Sequence, residues 1–219
     1  MHCGISLCFA STVVYDNGST TFDYGLEVAG FQVADDFIVD TPSLLTGARF
    51  WTVEGEGIRS GAVPFDGHID YWVYDSELGY PNQQLATGVA ASITRNDLGV
   101  HNHWYGTMRR FEYEISFATP IAVQPNTTYF FGLHLLETYP NPNGEIYWST
   151  ADGFTLGLSS HSRDGGVGVW EDVSTTIPGV YGADHLAFQL YGTAVPEPST
   201  LGLLFSCIVA ASCPRKLSH

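Results

Sequence analysis

From about Thr12 to Ala194 this chain alternates apolar and polar residues at a spacing of two, and runs of Gly, Pro, Asn and Asp repeatedly break the alternation. Phe111, Tyr113, Ile115 and Phe117 interleave with Glu112, Glu114 and Ser116, the pattern of a strand with one face in a core and the other in water. The stretch Thr128 to Leu136 is apolar on both faces and is expected to be a central strand. Further strands are expected in Gly30–Val39, Ala48–Val53, His68–Asp75, Glu145–Ser149, Val167–Glu171 and His185–Tyr191, which are rich in aromatic and β-branched residues. Glu77-Leu-Gly-Tyr-Pro-Asn, Gln124-Pro-Asn-Thr and Tyr139-Pro-Asn-Pro-Asn-Gly carry turn chemistry. No stripe at helical spacing appears before the last residues. An all-β fold follows, an antiparallel β-sandwich of jelly-roll type.

Cysteine placement divides the chain. Cys3, Cys8, Cys207 and Cys213 all lie near the termini, so no disulfide framework staples residues 12–194. That body must rest on an apolar core, and about 180 residues are enough for one domain to bury one. Acidic residues number 23 against 8 basic, for a net charge of -15, and the sole lysine is Lys216. Such a balance repels nucleic acid and anionic lipid, and it suits a soluble exterior or cation binding.

The end of the chain has a different character. Val195-Pro-Glu-Pro-Ser-Thr precedes an apolar run from Leu201 to Cys213, and Arg215-Lys216 follow. No charge occurs from Ser199 to Pro214, a length that would make a helix of about 24 Å, short of a hydrocarbon core of about 30 Å. A basic pair beyond it favours a cytoplasmic C-terminus, with the preceding body on the outer side of the inner membrane. This tail resembles the PEP-CTERM sorting signal of bacterial surface proteins. The resemblance implies that Pro196, Glu197 and Pro198 are the sorting motif and that Leu201 to Ala211 form the core of a short transmembrane helix. It further implies that Arg215 and Lys216 are the membrane stop, and that a membrane-embedded exosortase is the partner that recognises and removes the tail. Tails of that family usually have a longer Leu/Gly/Ala helix and more arginines, and Cys207, Cys213 and Pro214 are departures that bear on processing efficiency.

The body in turn resembles the globular domain that often precedes such tails. The resemblance rests on Tyr15-Asp-Asn-Gly, Val33-Ala-Asp-Asp-Phe, Gly79-Tyr-Pro-Asn, Gln124-Pro-Asn-Thr-Thr-Tyr and Leu186-Ala-Phe-Gln-Leu-Tyr-Gly. It implies a jelly-roll sandwich akin to carbohydrate-binding modules, and a fold alone assigns no ligand. Export also requires an entry signal. Residues 1–11 lack a basic region, and Ile5–Ala10 is short for a signal-peptide core, although Ala10-Ser11 suits a cleavage site. Residues 1–11 are therefore expected to be the remnant of a signal peptide whose precursor starts upstream.

Three groups of residues carry potential chemistry. In an unbroken strand Gly30–Val39, Asp35 falls on the face of Phe31, Val33, Phe37 and Val39, where a lone carboxylate is costly. Either a calcium ion held by Asp35 and Asp36 with Asp16, Asn17 or Asp184 satisfies it, or a β-bulge or backbone hydrogen bonds do so without metal. His101-Asn-His103-Trp104 follows Asn96-Asp-Leu-Gly and is expected to be a loop. Its histidines would need a third ligand such as His68 or His161 to hold zinc or copper. Of the aromatic residues Trp72, Tyr74, Trp104, Tyr105, Trp148 and Trp170, most are expected in the core. Trp104 and Tyr105 are the candidates for stacking on a sugar. No G-x-S-x-G elbow, H-E-x-x-H helix, P-loop or body cysteine is present. The expected function is that of an exported, exosortase-sorted surface or extracellular-matrix protein with a non-enzymatic sandwich. The alternatives are a carbohydrate-binding module, with or without calcium, that contacts exopolysaccharide or another glycan, and then a two-carboxylate glycan hydrolase.

Overall fold

A computed structural model describes residues 11–55, 65–103, 106–137, 146–152, 161–164, 169–173 and 185–195. The strands among them are β1 (Thr12–Asp16), β2 (Thr20–Glu27), β3 (Phe31–Phe37), β4 (Ser43–Gly55), β5 (Phe65–Glu77), β6 (Tyr80–Val89) and β7 (Ser92–His103). They continue with β8 (Gly106–Val123), β9 (Tyr129–Glu137), β10 (Ile146–Ala151), β11 (His161–Asp164), β12 (Glu171–Asp172) and β13 (Phe188–Ala194). The strands pair antiparallel in two sheets. One runs β12-β11-β3-β9-β5-β6; the other runs β1-β13-β4-β10-β2, with β8 along β4 and β7 along β8.

β4 organises the larger sheet. Its first part pairs with β13 from Ser43 to Phe50, its last part with β10 from Thr52 to Glu54, and its opposite edge with β8 over nearly its whole length. Gly47 stands where β4 is irregular against both neighbours, between Leu45 and Gly47 on the β8 side. A methyl group there would run into the carbonyl oxygen of Ile115. The close approach of backbone to backbone is what requires glycine at this position.

The inner faces of the two sheets make one core. Val33, Phe37, Tyr71, Phe131 and Leu133 come from the smaller sheet, and Phe50, Tyr113, Trp148, Phe188 and Leu190 from the larger. Phe131 ties the layers together, with ring centroids 6.0 Å from Trp148, 5.6 Å from Phe188 and 6.1 Å from Phe117. Burial of each such side chain contributes about 1.5–3 kcal/mol, so this aromatic layer substitutes for the missing disulfides. Trp148 is fully buried and its indole Nε1 donates to the carbonyl of Ala187 at 3.0 Å, in keeping with a core role.

The expected strands fall within or overlap observed ones except Val167–Glu171, of which only Glu171 lies in a strand while Val169 and Trp170 do not, and the turn expected after Glu77 is a two-residue hairpin. Leu78 and Gly79 have φ of 53° and 83° between the paired residues Glu77 and Tyr80, as a tight primed turn demands. One expectation is overturned. His101 to His103 are the last residues of β7, paired with Met108, Thr107 and Gly106, and not part of a loop. The Asn96-Asp-Leu-Gly signal that suggested a loop marks a β-bulge inside the strand. Register shifts between Asp97 and Gly99, Gly99 takes a φ of 92°, and its N–H donates to Asp97 Oδ1 at 2.8 Å. β1, β2, β6 and β11 are not among the expected strands.

Gly47→Ala is expected to destabilise the sandwich by about 1–3 kcal/mol, because the methyl group must displace the β8 backbone. A thermal melt that stays within about 1 °C of the parent would show that β4 and β8 can part without cost.

Candidate functional site

The buried carboxylate foreseen in the second half of β3 is present. Asp35 is wholly buried on the core face of β3, between Val33 and Phe37, which are also buried. Its donors come from the ends of the other sheet and from its own strand. Oδ2 accepts from Asn17 Nδ2 at 3.0 Å and from the Leu186 N–H at 2.6 Å, while Oδ1 accepts from the Asp36 N–H at 3.0 Å. Asn17 follows β1, and Leu186 precedes β13. These two strands pair side by side, so the ends of the body converge on a residue in its interior. Asn17 is itself locked: its N–H donates to the Phe188 carbonyl at 2.9 Å, Nδ2 also donates to the Leu186 carbonyl at 2.9 Å, and Oδ1 accepts from the Tyr15 hydroxyl at 2.9 Å.

His185 and Asp36 complete the cluster. His185 Nδ1 lies 3.7 Å from Asp35 Oδ1, and one ligand atom from each of Asp35, Asp36 and His185 falls within 4.8 Å of the others. Burial drives the Asp35 carboxyl above the ordinary carboxylate range, against the pull of His185 and of the Leu186 and Asp36 N–H groups. Burial and the nearby charges of Asp35, Asp36 and Asp16 also hold the Tyr15 phenol protonated beyond its usual range.

Asp35 and Asp36 are thus brought together, as the calcium reading requires, but the third group is His185. Asp16 stands outside the trio. Its carboxylate is exposed and accepts from the Gly18 N–H at 2.9 Å and from Gln189 Nε2 at 2.9 Å. Asp184 lies outside the described residues, as do Trp104, Tyr105, Pro196, Glu197, Pro198, Arg215 and Lys216. Two carboxylates with an imidazole form a mixed oxygen and nitrogen set, closer to zinc or manganese than to the six to eight oxygens that calcium takes. With both oxygens of Asp35 already receiving protein N–H groups, the arrangement works first as a polar clasp between the sheets. Asn17 could be foreseen as a contributor, whereas His185 gave no signal beyond heading a strand.

A second buried carboxylate escaped sequence reasoning altogether. Glu54, near the end of β4, is almost fully buried, accepts from the Tyr113 hydroxyl at 2.6 Å and from Thr52 Oγ1 at 2.8 Å, and is ion-paired with Arg95 of β7. The Arg95 guanidinium covers the Phe111 ring, 3.5 Å from its centroid. Burial first, and then the Glu54 charge, raises the Tyr113 phenol well beyond its ordinary range, so it serves Glu54 as a donor.

On the outer face of the smaller sheet, Tyr74 is buried against Phe130 and Ala34, and the partly exposed Trp72 and Trp170 pack on this cluster. Trp170 meets Tyr74 edge to face at 5.5 Å. Along the same face Asp70 accepts from His68 Nε2 at 2.9 Å and lies 3.8 Å from His134 Nδ1, whose Nε2 donates to the Ala29 carbonyl at 2.8 Å. His68 is therefore engaged by Asp70. His161 is placed in β11 opposite Ala34.

Removing the Asp35 carboxylate leaves the Asn17 and Leu186 donors in the core without their acceptor, so Asp35→Ala is expected to cost about 3 kcal/mol in urea unfolding at neutral pH. Asp35→Asn should carry a pH signature. Asp35 is raised in the folded state from an ordinary value of 3.8, so its contribution is most favourable at or below that value. It declines as pH climbs through the raised folded pKa. The stability gap between the parent and Asp35→Asn should therefore be wider at about pH 4 than at about pH 7, and a pH-independent gap would contradict this account of Asp35. Comparison of the chain with protein-family models, with curated proteins and with solved structures finds no match.

Proposed function

We propose that this chain is an exported bacterial surface or extracellular-matrix protein whose jelly-roll sandwich is non-enzymatic and whose C-terminal tail is its address. The observation that carries the reading is the order of elements in the tail: Pro196-Glu197-Pro198, the uncharged stretch to Pro214, then Arg215-Lys216. In this reading an exosortase is the processing partner, the inner membrane holds the tail before cleavage, and the sandwich ends at the cell surface. The last strand, β13, ends at Ala194, directly before Val195 and the motif, which fits a folded body followed by a detachable signal. The buried carboxylates Asp35 and Glu54 are engaged in hydrogen bonds that join strands, which supports a structural use of both.

In a host that carries an exosortase, the full chain is expected to leave the membrane fraction as a shortened form. Replacing Pro196, Glu197 and Pro198 together by alanine should hold the chain in the membrane at full length. Equal shortening in a host from which the exosortase has been deleted would overturn the reading.

A second reading, glycan binding, is favoured by Trp72 and Trp170, which flank Tyr74 on the outer face of the smaller sheet and are only partly buried. Beside them, the pair Asp70–His68 offers hydrogen-bonding groups suited to sugar hydroxyls. On a glycan array, with and without chelator, retention should fall at least about tenfold for Trp72→Ala. A parent chain that binds no glycan in either condition would remove this reading.

A further inference from the structure

Five strands among the described residues have a neighbour on one side only: β1, β2, β6, β7 and β12. An edge strand offers a row of backbone N–H and C=O groups to any other chain, and proteins guard such edges with charge, proline, short length or bulges. Four of these edges are charged. β1 carries Asp16, β2 carries Asp23 and Glu27, β7 carries Arg95 and Asp97, and β12 consists of Glu171 and Asp172. β6, from Tyr80 to Val89, has no charged residue, and none follows until Arg95.

Among the described residues, no strand other than β5 pairs with β6. Tyr80 is 45 % exposed, Leu85 45 % and Val89 49 %, and Asn82, Gln83, Gln84 and Thr87 are exposed with them. It pairs with β5 through Asp70–Val73 and Ala86–Val89, a regular run that a bulge separates from the pairing of Tyr74 with Gln84. Pro81 guards only the start of the strand. The bulge falls at Leu85, so the unguarded part is the regular run from Ala86 to Val89.

Charge selects the occupant. A chain of net charge -15 repels its own copies over most of its surface. Two copies can approach most closely where neither carries charge, and a strand that pairs antiparallel with its own symmetry mate meets that condition along its whole length. We infer that β6 is a homotypic assembly edge: two copies of this chain join β6 to β6 about a two-fold axis, merging their smaller sheets into one continuous sheet. Backbone hydrogen bonds supply the attraction, Leu85 and Val89 the apolar contact, and Asn82, Gln83 and Gln84 amide contacts at the ends. The short regular run and the repulsion of the two bodies make the dimer weak and reversible, and salt strengthens it by screening that repulsion.

Sedimentation velocity on the full chain in mild detergent, from about 1 to 100 μM, tests this. The parent chain is expected to shift from monomer to dimer with concentration, and at lower concentration when salt is raised. The double variant Leu85→Glu, Thr87→Glu should weaken the dimer at least about tenfold, while Val13→Glu on the exposed edge β1 leaves it unchanged. Amide hydrogen exchange on the parent needs no variant, and β6 amides should gain protection as concentration rises. A parent that stays monomeric throughout overturns the inference and leaves the edge to a strand of another protein. A dimer that survives the double variant, without added β6 protection, overturns it by placing the contact elsewhere, the C-terminal tail included.

Discussion

The two ends of this sandwich pair with each other as β1 and β13, and the carboxylate of Asp35 ties the opposite sheet to both of them. The residue belongs to β3 in the smaller sheet, and it is solvated by Asn17 and Leu186, which flank the first and last strands of the larger one. A carboxylate in an apolar layer costs several kcal/mol unless donors surround it, so the layers must come into a single relative position for those donors to arrive. Apolar packing alone tolerates sliding. The Asp35 clasp does not, because a shift of one residue in β3 would turn Asp35 to the other face of its sheet.

Glu54, Arg95 and Tyr113 perform a related task farther along β4. That strand is shared by β8, β10 and β13, and an acid buried near its end is met by donors from β8 and β7. The pair Glu54–Arg95 is partly reached by solvent on the Arg95 side, so its role is better seen as fixing register than as adding large stability. Two polar clusters embedded in an aromatic core thus give the fold its specificity, while the core gives it cohesion.

How far the sequence alone reached follows the same physics. Strands with full alternation, such as Phe111–Phe117, or with apolar residues on both faces, such as Tyr129–Leu135, were legible because burial dictates their pattern. β6 was not, since its inward positions, Ala86 and Gly88, are small and only half-buried, and they write no apolar period into the sequence. The His101–His103 segment misled because a bulge uses the same residues as a turn: an Asp carboxylate taking the N–H two residues on, and a glycine in the left-handed region. At the site, the anomaly of Asp35 was visible as a charge on the wrong face. Its partners were not, because Asn17 and Leu186 lie 18 and 151 residues away from it in the chain, and no local pattern encodes such a meeting.

The pairing of β1 with β13, Thr12 opposite Gly192, bears on when this body can fold at all. The first half of β4 lacks its neighbour on the β13 side until residues 188 to 194 exist, and Asp35 lacks one of its donors until Leu186 does. Contacts so distant in sequence form late and slowly. During synthesis the body therefore stays without its native closure until β13 has been made, a long interval in which an unfolded polypeptide is open to chaperones or to threading through a narrow channel.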